Sequence, residues 1–469
     1  MSLMVSVSGI RGIVGVDLTP KNLVSYTQAF AAWVTKGHVG EGKPRIVIGR
    51  DTRPSGAQIV PLLVETLALS GVDVVDLGVA TTPTVEIAVT ENKADAGIIV
   101  TASHNPIEWN ALKLLNRSGE FLDADELADF LGIAEREAYV SARWDGIGST
   151  IVDRSADEMH IGKILALPFV DTGVIEKSGL SVLVDAVEGA GSDVVPDLCS
   201  RLGIGRVETL ACGGTGIFPR NPEPIADNLS ETVSRMKESG CDFGIIVDPD
   251  VDRLALIQED GELFGEEYTL VACADYYLKK FPGTVVNNLS SSRALRDVAE
   301  RYGQKCVSAK VGEANVVFVM KEEQATIGGE GNGGIILPSL HYGRDALVGI
   351  AIFVTAFAEW RAGRSDVEEK TLSAFRKTFP AYFMAKKKLE ITIPKEKPAD
   401  LFSKIAGSHP EAIADSRDGL KLDFPEYWVH LRASNTEPII RIYTEAKTAE
   451  DAERVAEAFM TEISALSVD

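Results

Sequence analysis

The sequence predicts an α/β protein with three similar mixed-sheet domains and a smaller α+β domain at its C-terminus. Short runs of β-branched residues alternate with amphipathic helical stretches, and this pattern restarts along the chain to give three passes. The C-terminal part instead combines two strands around a tight polar loop with one helix. A length of 469 residues suits three or four domains of about 150 residues each.

The predicted elements follow one another as parallel sheets require. The expected strands lie at residues 45–49, 72–77, 96–101, 180–184, 243–247, 284–287, 306–309, 428–431 and 439–444. The expected helices lie at residues 55–70, 191–202, 291–302 and 448–465. Strand–helix–strand repeats imply right-handed crossovers and mostly parallel sheets.

Polar stretches indicate where the domains end. These stretches occupy residues 145–157, 258–267 and 361–369. We therefore expect domains at residues 1–150, 151–258, 259–368 and 369–469.

The charge balance argues against nucleic acid and anionic membranes as partners. The chain has 47 Lys and Arg against 69 Asp and Glu, so its formal net charge is −22 and it repels phosphate-rich surfaces. The longest charge-free apolar stretch, between Asp345 and Glu359, is too short to span a bilayer and predicts a buried helix. The chain opens without a basic and apolar leader, and its five scattered cysteines form no CxxC pair. We therefore expect a cytoplasmic enzyme.

The first chemically distinctive loop has the sequence TASHNP, at residues 101–106, directly after a predicted strand. Open parallel sheets bind ligands at this end of their strands. Ser103, among small and polar neighbours, is therefore expected to be exposed and reactive, although a turn capped by Ser and Asn fits the same residues. A serine hydrolase is disfavoured because there is no G-x-S-x-G elbow. His104 is a poor base for Ser103, since adjacent side chains tend to diverge.

The second loop, DPDVDR at residues 248–253, places three carboxylates at alternate positions after an apolar strand. Their mutual repulsion calls for a cation, and oxygen ligands suit Mg²⁺. A Ca²⁺-binding EF-hand is disfavoured: Glu259 stands at its twelfth position, but Arg253 replaces the glycine expected at the sixth. A solvated acidic turn remains the alternative.

Two further loops suggest contacts with a sugar and with a phosphate. The loop GGEGNGG at residues 328–334 lets the backbone approach a ligand, and its Glu330 and Asn332 suit vicinal hydroxyls. The loop RASNTEP at residues 432–438, with Arg441 beyond it, gathers donors for an anion. A flexible turn and an ordinary hairpin turn are the respective alternatives.

Three basic residues are candidates for the site only when they are considered together, because a lone Lys or Arg is usually a surface residue. Arg11 lies between glycines near the N-terminus, and Lys310 follows a predicted strand. Lys113, seven residues after Pro106, is placed to fold back toward Ser103.

Taken together, and in this order along nearly the whole chain, the loops resemble those of the α-D-phosphohexomutase superfamily. Its members include phosphoglucomutase, phosphomannomutase and phosphoglucosamine mutase. The resemblance implies three α/β domains and a smaller, mobile fourth domain around a central cleft. The metal loop departs from the usual DGDxDR at Pro249. The sugar loop departs from GExSGH at Asn332 and Gly334, as in the archaeal-type branch.

The resemblance assigns roles to individual residues. The implied Mg²⁺ ligands are Ser103, as a phosphoserine, with Asp248, Asp250 and Asp252. The implied catalytic residues are Ser103, Lys113, Arg11, His104 and Arg253. The implied substrate-binding residues are Lys310, Glu330, Asn332, Arg432, Ser434, Asn435, Thr436 and Arg441. For the proton transfer, Lys113 is the first candidate base and Arg11 the second.

The implied function is a phosphohexose mutase that interconverts hexose 1-phosphate and hexose 6-phosphate through the phosphoserine and a 1,6-bisphosphate. The implied cofactor is Mg²⁺, and the partners are sugar phosphates with hexose 1,6-bisphosphate as activator. The sugar, glucose, mannose or glucosamine, stays open, as does a monomer or a homodimer.

Three alternatives remain. One is a mutase restricted to phosphoglucosamine. Another is a sugar phosphatase of the haloacid-dehalogenase type, because residues 244–250 resemble its strand and DxD start. That reading expects Thr or Val in place of Asp252 and leaves the Ser103 and Arg432 loops unexplained. The last is a non-catalytic sugar-phosphate-binding protein, which the intact Ser103, Lys113 and aspartates disfavour.

Overall fold

A computed structural model of the chain describes residues 3–139, 141–365, 370–390, 398–434 and 439–467. The chain forms two compact units, each built from two stretches of sequence. The first unit comprises Met1–Lys280 and Asn332–Arg376, and the second comprises Phe281–Gly331 and Lys377–Asp469. None of the helices in the described ranges has the length and hydropathy needed to cross a membrane.

The first unit opens with a seven-stranded mixed sheet. Its elements are β1 (Met4–Ser6), β2 (Gly9–Ile13), α1 (Pro20–Gly37), β3 (Arg45–Arg50), α2 (Gly56–Leu69), β4 (Asp73–Val79), α3 (Thr82–Glu91), β5 (Ala96–Val100), β6 (Trp109–Leu115), α4 (Ala124–Glu135) and β7 (Thr150–Val152). The strand order is β1-β2-β6-β5-β3-β4-β7. Because β3 and β5 are parallel neighbours, the loops that follow them leave the same edge of the sheet.

Local sequence explains how the elements around these loops begin. β5 reads Ala-Gly-Ile-Ile-Val and is fully buried, as expected for a strand covered on both faces. Thr81 caps α3 by accepting a hydrogen bond from the Thr84 N–H, and Pro83 lies in the first turn. These features fix Thr82 as the first residue of α3.

A second, four-stranded sheet follows in the same unit. Its elements are α5 (Ala156–Leu165), α6 (Thr172–Ser178), β8 (Ser181–Asp185), α7 (Gly191–Arg201), β9 (Arg206–Leu210), α8 (Ser230–Ser239), β10 (Phe243–Val247), β11 (Leu254–Gln258) and α9 (Glu266–Lys280). The order is β11-β10-β8-β9. β8 pairs in parallel with β9 and β10, whereas β10 and β11 form an antiparallel hairpin. The acidic loop at 248–253 is the turn of this hairpin.

The second unit begins with three parallel strands. Its first elements are β12 (Val285–Asn288), α10 (Ala294–Arg301), β13 (Cys306–Ala309), α11 (Glu313–Glu322) and β14 (Ile327–Glu330). β12 pairs in parallel with β13 and with β14.

The chain then returns to the first unit through β15 (Gly334–Ile336), α12 (Ala346–Ala362) and α13 (Leu372–Arg376). α12 is buried on every side over most of its length, and Asp345 caps it by accepting hydrogen bonds from the Leu347 and Val348 N–H groups. The predicted buried helix between Asp345 and Glu359 is therefore confirmed.

The second unit ends in an antiparallel sheet covered by helices. Its elements are β16 (Phe383–Glu390), α14 (Pro398–Ser408), β17 (Ile413–Asp415), β18 (Leu420–Asp423), β19 (Trp428–Ala433), β20 (Ile439–Ala446) and α15 (Ala449–Ser467). The order is β16-β20-β19-β18-β17. The predicted α+β character of this part is confirmed.

The glycine-rich segment at 328–334 is not a loop throughout, as the sequence suggested. Most of it belongs to β14 and β15, which leaves only residues 331–333 between the two strands. The physical reason is close packing: a Cβ atom at Gly328 would lie 2.6 Å from the Val286 carbonyl oxygen. The expected domain division stays a prediction, and its boundary at 150/151 falls inside β7. The boundary at 368/369 lies outside the described residues.

Candidate active site

Ser103 lies in the loop between β5 and β6, in a left-handed backbone conformation with φ of +49°. Its N–H donates a hydrogen bond to Thr101 Oγ1 at 2.9 Å. This conformation costs a non-glycine residue roughly 1–2 kcal/mol, so the surroundings must maintain it. The serine is only 4% exposed, and the expectation of an exposed residue is therefore wrong.

The contacts of Arg53 explain why Ser103 is buried and how its left-handed conformation is maintained. This fully buried side chain follows β3, and its Nη2 donates to the carbonyl of Ser103 at 2.5 Å and to that of Asn105 at 2.6 Å. Its Nη1 donates to the carbonyls of Pro106 at 2.6 Å and Trp109 at 3.1 Å. A single guanidinium thus holds the serine loop through three of its carbonyl groups and through the carbonyl of Trp109, the first residue of β6.

The three aspartates of the acidic loop meet in one buried cluster. Asp248, Asp250 and Asp252 offer oxygen atoms that all lie within 4.8 Å of one another. Ser103 Oγ donates a hydrogen bond to Asp248 Oδ2 at 2.8 Å. The structure therefore brings the predicted nucleophile and the predicted metal ligands together within the first unit.

Two oxygens of the cluster fit a cation. Asp250 Oδ1 and Asp252 Oδ1 are buried and have no hydrogen-bond partner among the described residues. Leaving a charged oxygen buried without a partner is costly. Three carboxylates and a serine oxygen form the hard, all-oxygen donor set that Mg²⁺ prefers. The donor set and the two oxygens without partners both favour a divalent cation in this cluster.

The pKa values of the aspartates also favour a bound cation in this cluster. Burial, together with the charges of Asp252 and Asp250, raises the pKa of Asp248 well above its ordinary value. Burial also acts to raise the pKa of Asp250, but the ammonium of Lys113 outweighs it and the pKa lies below the usual range. The carboxylates thus repel one another, and a cation among them would offset that repulsion.

Lys113 contacts the metal loop; no hydrogen bond joins it to Ser103 among the described contacts. Its Nζ, on β6, donates to Asp250 Oδ2 at 2.7 Å and lies 3.6 Å from Asp252 Oδ2. Burial lowers the pKa of Lys113, but the two carboxylates raise it by more, so the side chain is an ammonium. A role as base stays a prediction and requires the Asp250 contact to be released.

His104 and Arg11 border the serine. His104 Nδ1 lies 3.3 Å from Ser103 Oγ, so the expectation that these adjacent side chains diverge is wrong. Burial and the charges of Arg253 and Arg11 lower the pKa of His104 to about 2, which keeps the imidazole neutral. Arg11 Nη1 donates to Asn105 Oδ1 at 2.7 Å, and burial lowers the pKa of Arg11 below its ordinary value.

Arg253 links the metal loop to a residue that the sequence analysis missed. Its backbone N–H donates to Asp248 Oδ1 at 3.2 Å, and its Nη1 donates to Glu223 Oε1 at 3.3 Å. Glu223 Oε1 also lies 4.0 Å from His104 Nε2. Glu223 thus connects the residues that follow Asp252 and Ser103.

A buried network of titratable side chains lies close to the metal loop in the folded protein. His341 lies between Glu86, at 3.3 Å, and Asp345, at 3.2 Å. Asp345 Oδ2 also lies 3.0 Å from His160 Nε2, and His160 Nδ1 lies 3.0 Å from Thr84 Oγ1. Burial lowers the pKa of His341, but the two carboxylates raise it by more, to about 10.

This network predicts a pH-dependent contribution to stability. Because the pKa of His341 in the folded state lies above its unfolded value, the contribution is full below pH 6.5 and is lost as pH rises toward 10. We expect the difference in unfolding free energy between the wild type and His341→Gln to shrink over this range. Denaturant titrations at several pH values measure it, with His409→Gln as a control. A difference that does not change with pH would contradict the prediction.

In the second unit, Glu330 ends β14 and is buried. Its Oε1 accepts hydrogen bonds from Asn288 Nδ2 at 2.9 Å and from the Gly312 N–H at 3.0 Å. Lys310, two residues before Gly312, is exposed. Asn332 belongs to the first unit, where its Oδ1 accepts a hydrogen bond from the Gly334 N–H at 3.1 Å.

The predicted phosphate loop connects β19 and β20 in the second unit. Arg432 and Arg441 are directly opposite each other on these strands. Two like charges at such positions are unfavourable without a counter-charge. Arg432 Nε lies 3.1 Å from Asp418 Oδ2, but in the described part of the chain neither this buried nitrogen nor the buried Arg441 Nε has a hydrogen-bond partner. The pair suits an anion; Ser434 is described here, but Asn435 and Thr436 lie outside the described residues.

Sequence reasoning missed four residues that the structure places in or around the site. Two are Arg53 and Glu223; the others are Thr82 and Arg344, which donate hydrogen bonds to Asp250 and Asp252. A sequence pattern was available for Arg53, because the polar run Arg-Asp-Thr-Arg at residues 50–53 follows a predicted strand as the other loops do. No comparable pattern marks Thr82, Glu223 or Arg344. Their positions depend on how distant segments pack.

A phosphorylatable hydroxyl beside buried carboxylates, in loops that follow buried strands, is an arrangement typical of metal-assisted phosphoryl transfer. Four models of the phosphoglucomutase/phosphomannomutase family match the chain in order. Those of the alpha/beta/alpha domains I, II and III match residues 3–139, 158–261 and 265–382, and that of the C-terminal domain matches residues 391–462.

Individual proteins are similar over nearly the whole chain. A phosphoglucomutase/phosphomannomutase of Thermococcus kodakarensis is 35% identical over 451 residues, which is 96% of each chain. A probable phosphoglucosamine mutase of Methanopyrus kandleri is 30% identical and covers 97% of this chain and 96% of its own. The crystal structure of a family protein from Burkholderia thailandensis shares the fold, with a TM-score of 0.82 at 24% identity and 98% coverage of both chains.

The chain therefore belongs to the phosphoglucomutase/phosphomannomutase family, within the α-D-phosphohexomutase superfamily. Proteins of this family are phosphohexose mutases, which are isomerases. The family, the fold class and the enzyme class predicted from the sequence are confirmed.

Proposed function

We propose that this phosphohexose mutase interconverts hexose 1-phosphate and hexose 6-phosphate, with phosphorylated Ser103 as the phosphoryl donor and a hexose 1,6-bisphosphate as the intermediate. One observation carries the proposal: Ser103 Oγ lies 2.8 Å from Asp248 Oδ2, within a cluster of three buried aspartates. The same contact disfavours Asp248 as the nucleophile of a phosphatase, because its Oδ2 is occupied by the serine and its Oδ1 by the Arg253 N–H.

The transfer is balanced in two half-reactions. In the first, the free hydroxyl of the sugar phosphate attacks the phosphoryl group on Ser103, its O–P bond forms, the Oγ–P bond breaks, and the hydroxyl loses its proton. The Oγ that leaves takes up a proton. In the second, after the bisphosphate has turned over, Ser103 Oγ loses that proton and attacks the other phosphoryl group: the Oγ–P bond forms, the sugar O–P bond breaks, and the sugar oxygen takes up a proton. Lys113 and Arg11 remain the candidates for proton transfer. A positioned acid or base typically contributes about 10²–10⁴-fold.

We propose Mg²⁺ as the cation, held by Ser103 and the three aspartates. When bound, it would neutralise charge on the phosphoryl oxygens. The chain itself contributes Arg253 and Lys113, whose charges lie beside the same carboxylates. Both side chains are positioned before substrate arrives, which is how fixed charges stabilise a transition state.

Arg432, Ser434 and Arg441, with Asn435 and Thr436, are proposed to bind the phosphate that does not react. The opposed arginines support this role, since an anion between them would relieve their repulsion. Glu330, Asn332 and Lys310 are proposed to contact the sugar. The carboxylate of Glu330 is held by Asn288 and Gly312, which favours a fixed orientation toward hydroxyls.

The sugar is proposed to be glucose or mannose, because the relative that is 35% identical is named phosphoglucomutase/phosphomannomutase. Glucosamine is the second candidate, because another relative is named probable phosphoglucosamine mutase. We also propose the four-domain division, a cytoplasmic location and a monomer or homodimer.

A ³¹P NMR assay tests the function. The protein is incubated with Mg²⁺, catalytic hexose 1,6-bisphosphate and, in separate samples, the 1-phosphates of glucose, mannose, glucosamine and N-acetylglucosamine. We expect a hexose 6-phosphate resonance in at least one sample, no free phosphate, and no conversion after chelation of the metal. Release of inorganic phosphate would indicate a phosphatase instead. Binding without conversion of any sugar would indicate a non-catalytic protein.

A further inference from the structure

Asp250 and Asp252 share a pattern of hydrogen bonding. In each carboxylate, Oδ2 accepts from a neighbouring side chain, while Oδ1 is buried and accepts no hydrogen bond from the described residues. The Oδ1 of Asp252 lies 3.9 Å from Arg253 Nε, beyond hydrogen-bond distance. Asp250 Oδ2 accepts from Thr82 Oγ1 at 2.6 Å, in addition to Lys113, and Asp252 Oδ2 accepts from Arg344 Nη2 at 2.5 Å. Both donors come from segments far from the metal loop in sequence.

A donor on one oxygen restricts rotation of the carboxylate and thereby fixes the position of the other oxygen. Such outer partners of metal ligands typically contribute 10–100-fold to metal affinity. Thr82 is fully buried and its only hydroxyl donates to Asp250, so it has the geometry of such a partner. The forked guanidinium of Arg344 is suited to the same task.

The segments that carry these donors also hold the backbone of the metal loop. The Thr82 N–H donates to the Asp250 carbonyl at 2.8 Å, and the Ala346 N–H donates to the Val251 carbonyl at 3.1 Å. Val251 has φ of +63°, which is unfavourable for a β-branched residue. External support of this kind is needed to keep the loop in its conformation.

Side chains connect the two supporting segments to each other. Thr84, in the first turn of α3, contacts His160, and His160 contacts Asp345, which caps α12 and adjoins Arg344. The start of α3 and residues 344–346 are therefore tied together through buried polar contacts. Thr82 and Arg344 hold their positions as parts of this network.

We propose that Thr82 and Arg344 are positioning residues, which hold the Asp250 and Asp252 carboxylates so that one oxygen of each is available to the catalytic cation. This inference rests on the metal site of the proposed function. It assigns to the reaction two residues that do not touch the reacting atoms and that act through the ligands they contact.

The matched pair Thr82→Val and Thr82→Ser tests the first residue, because valine keeps the shape of threonine and serine keeps its hydroxyl. Mn²⁺ alone is the probe, and its dissociation constant is measured by electron paramagnetic resonance on the full chain. We expect binding about 10–100-fold weaker in Thr82→Val and within a few-fold of wild type in Thr82→Ser. Unchanged Mn²⁺ affinity in a folded Thr82→Val, with or without a lower melting temperature, would overturn the role of Thr82.

Arg344→Met tests the second residue against an electrostatic alternative. Removing a positive charge next to three carboxylates would by itself strengthen cation binding, whereas loss of positioning would weaken it. We expect weaker Mn²⁺ binding in Arg344→Met and partial recovery in Arg344→Lys. Tighter or unchanged binding in Arg344→Met would overturn the role.

Asp250→Asn separates failure of this inference from failure of the proposed metal site. Loss of Mn²⁺ binding in Asp250→Asn together with normal binding in Thr82→Val and Arg344→Met would reject only the positioning roles. Unchanged binding in Asp250→Asn would reject the metal site itself, and the positioning roles with it.

Discussion

Ser103→Ala will reduce mutase turnover by at least about 10⁴-fold, because it removes the oxygen that we propose carries the phosphoryl group between the two half-reactions. We expect no other hydroxyl to replace it, since the Oγ of Ser103 is the one that lies 2.8 Å from Asp248 Oδ2 among the described residues. The measurement is a coupled assay of hexose 6-phosphate formation with bisphosphate activator and Mg²⁺.

A second readout makes the Ser103→Ala result specific. After incubation with hexose 1,6-bisphosphate, mass spectrometry should detect one added phosphoryl group on the wild-type chain and none on the variant. Ser181→Ala is a matched control: this serine, at the start of β8, is also buried, but its Oγ donates to Asp242. We expect the control to keep its turnover. Substantial turnover or phosphoryl uptake by Ser103→Ala would reject the nucleophile.

The residues of the site that could be predicted from sequence are those whose chemistry is visible in one short segment. Asp248, Asp250 and Asp252 alternate within five positions. Their meeting with Ser103 was expected only from the family resemblance, because the two loops follow strands of different sheets. Strand 243–247 was predicted with the bounds that the structure has, because an uninterrupted apolar run has clear ends.

What could not be predicted depends on packing between distant segments. Thr82 and Arg344 are ordinary residues in sequence, and their roles arise only because α3 and the start of α12 meet the metal loop. The burial of Ser103 was also missed, because it depends on a guanidinium 50 residues earlier in the chain. The glycines at 328–334 were interpreted as a loop, although close packing of a strand needs the same residues.

Arg53→Met should unfold more easily and catalyse more slowly than wild type, because it removes donors from three carbonyls of the serine loop and from the carbonyl of Trp109 at once. The same substitution leaves Asp51, which is fully buried and accepts from Arg53 Nε at 3.0 Å, without its counter-charge. Breaking a buried ion pair from one side typically costs about 3–5 kcal/mol. We also expect kcat to fall by more than about 100-fold, as misplacement of a reacting group by about 1 Å costs that much.

Arg53→Lys distinguishes the two effects if Arg53→Met fails to fold. Lysine keeps the charge near Asp51 but cannot donate to four carbonyls in the fixed plane of a guanidinium. We therefore expect Arg53→Lys to recover most of the unfolding free energy in urea titrations but little of kcat, while KM changes less than kcat. Arg50→Met is the control, since the hydrogen bond described for this side chain runs from Nη1 to the Asp51 carbonyl, at 2.9 Å. A folded Arg53→Lys with wild-type kcat would show that the serine loop holds its conformation without this clamp.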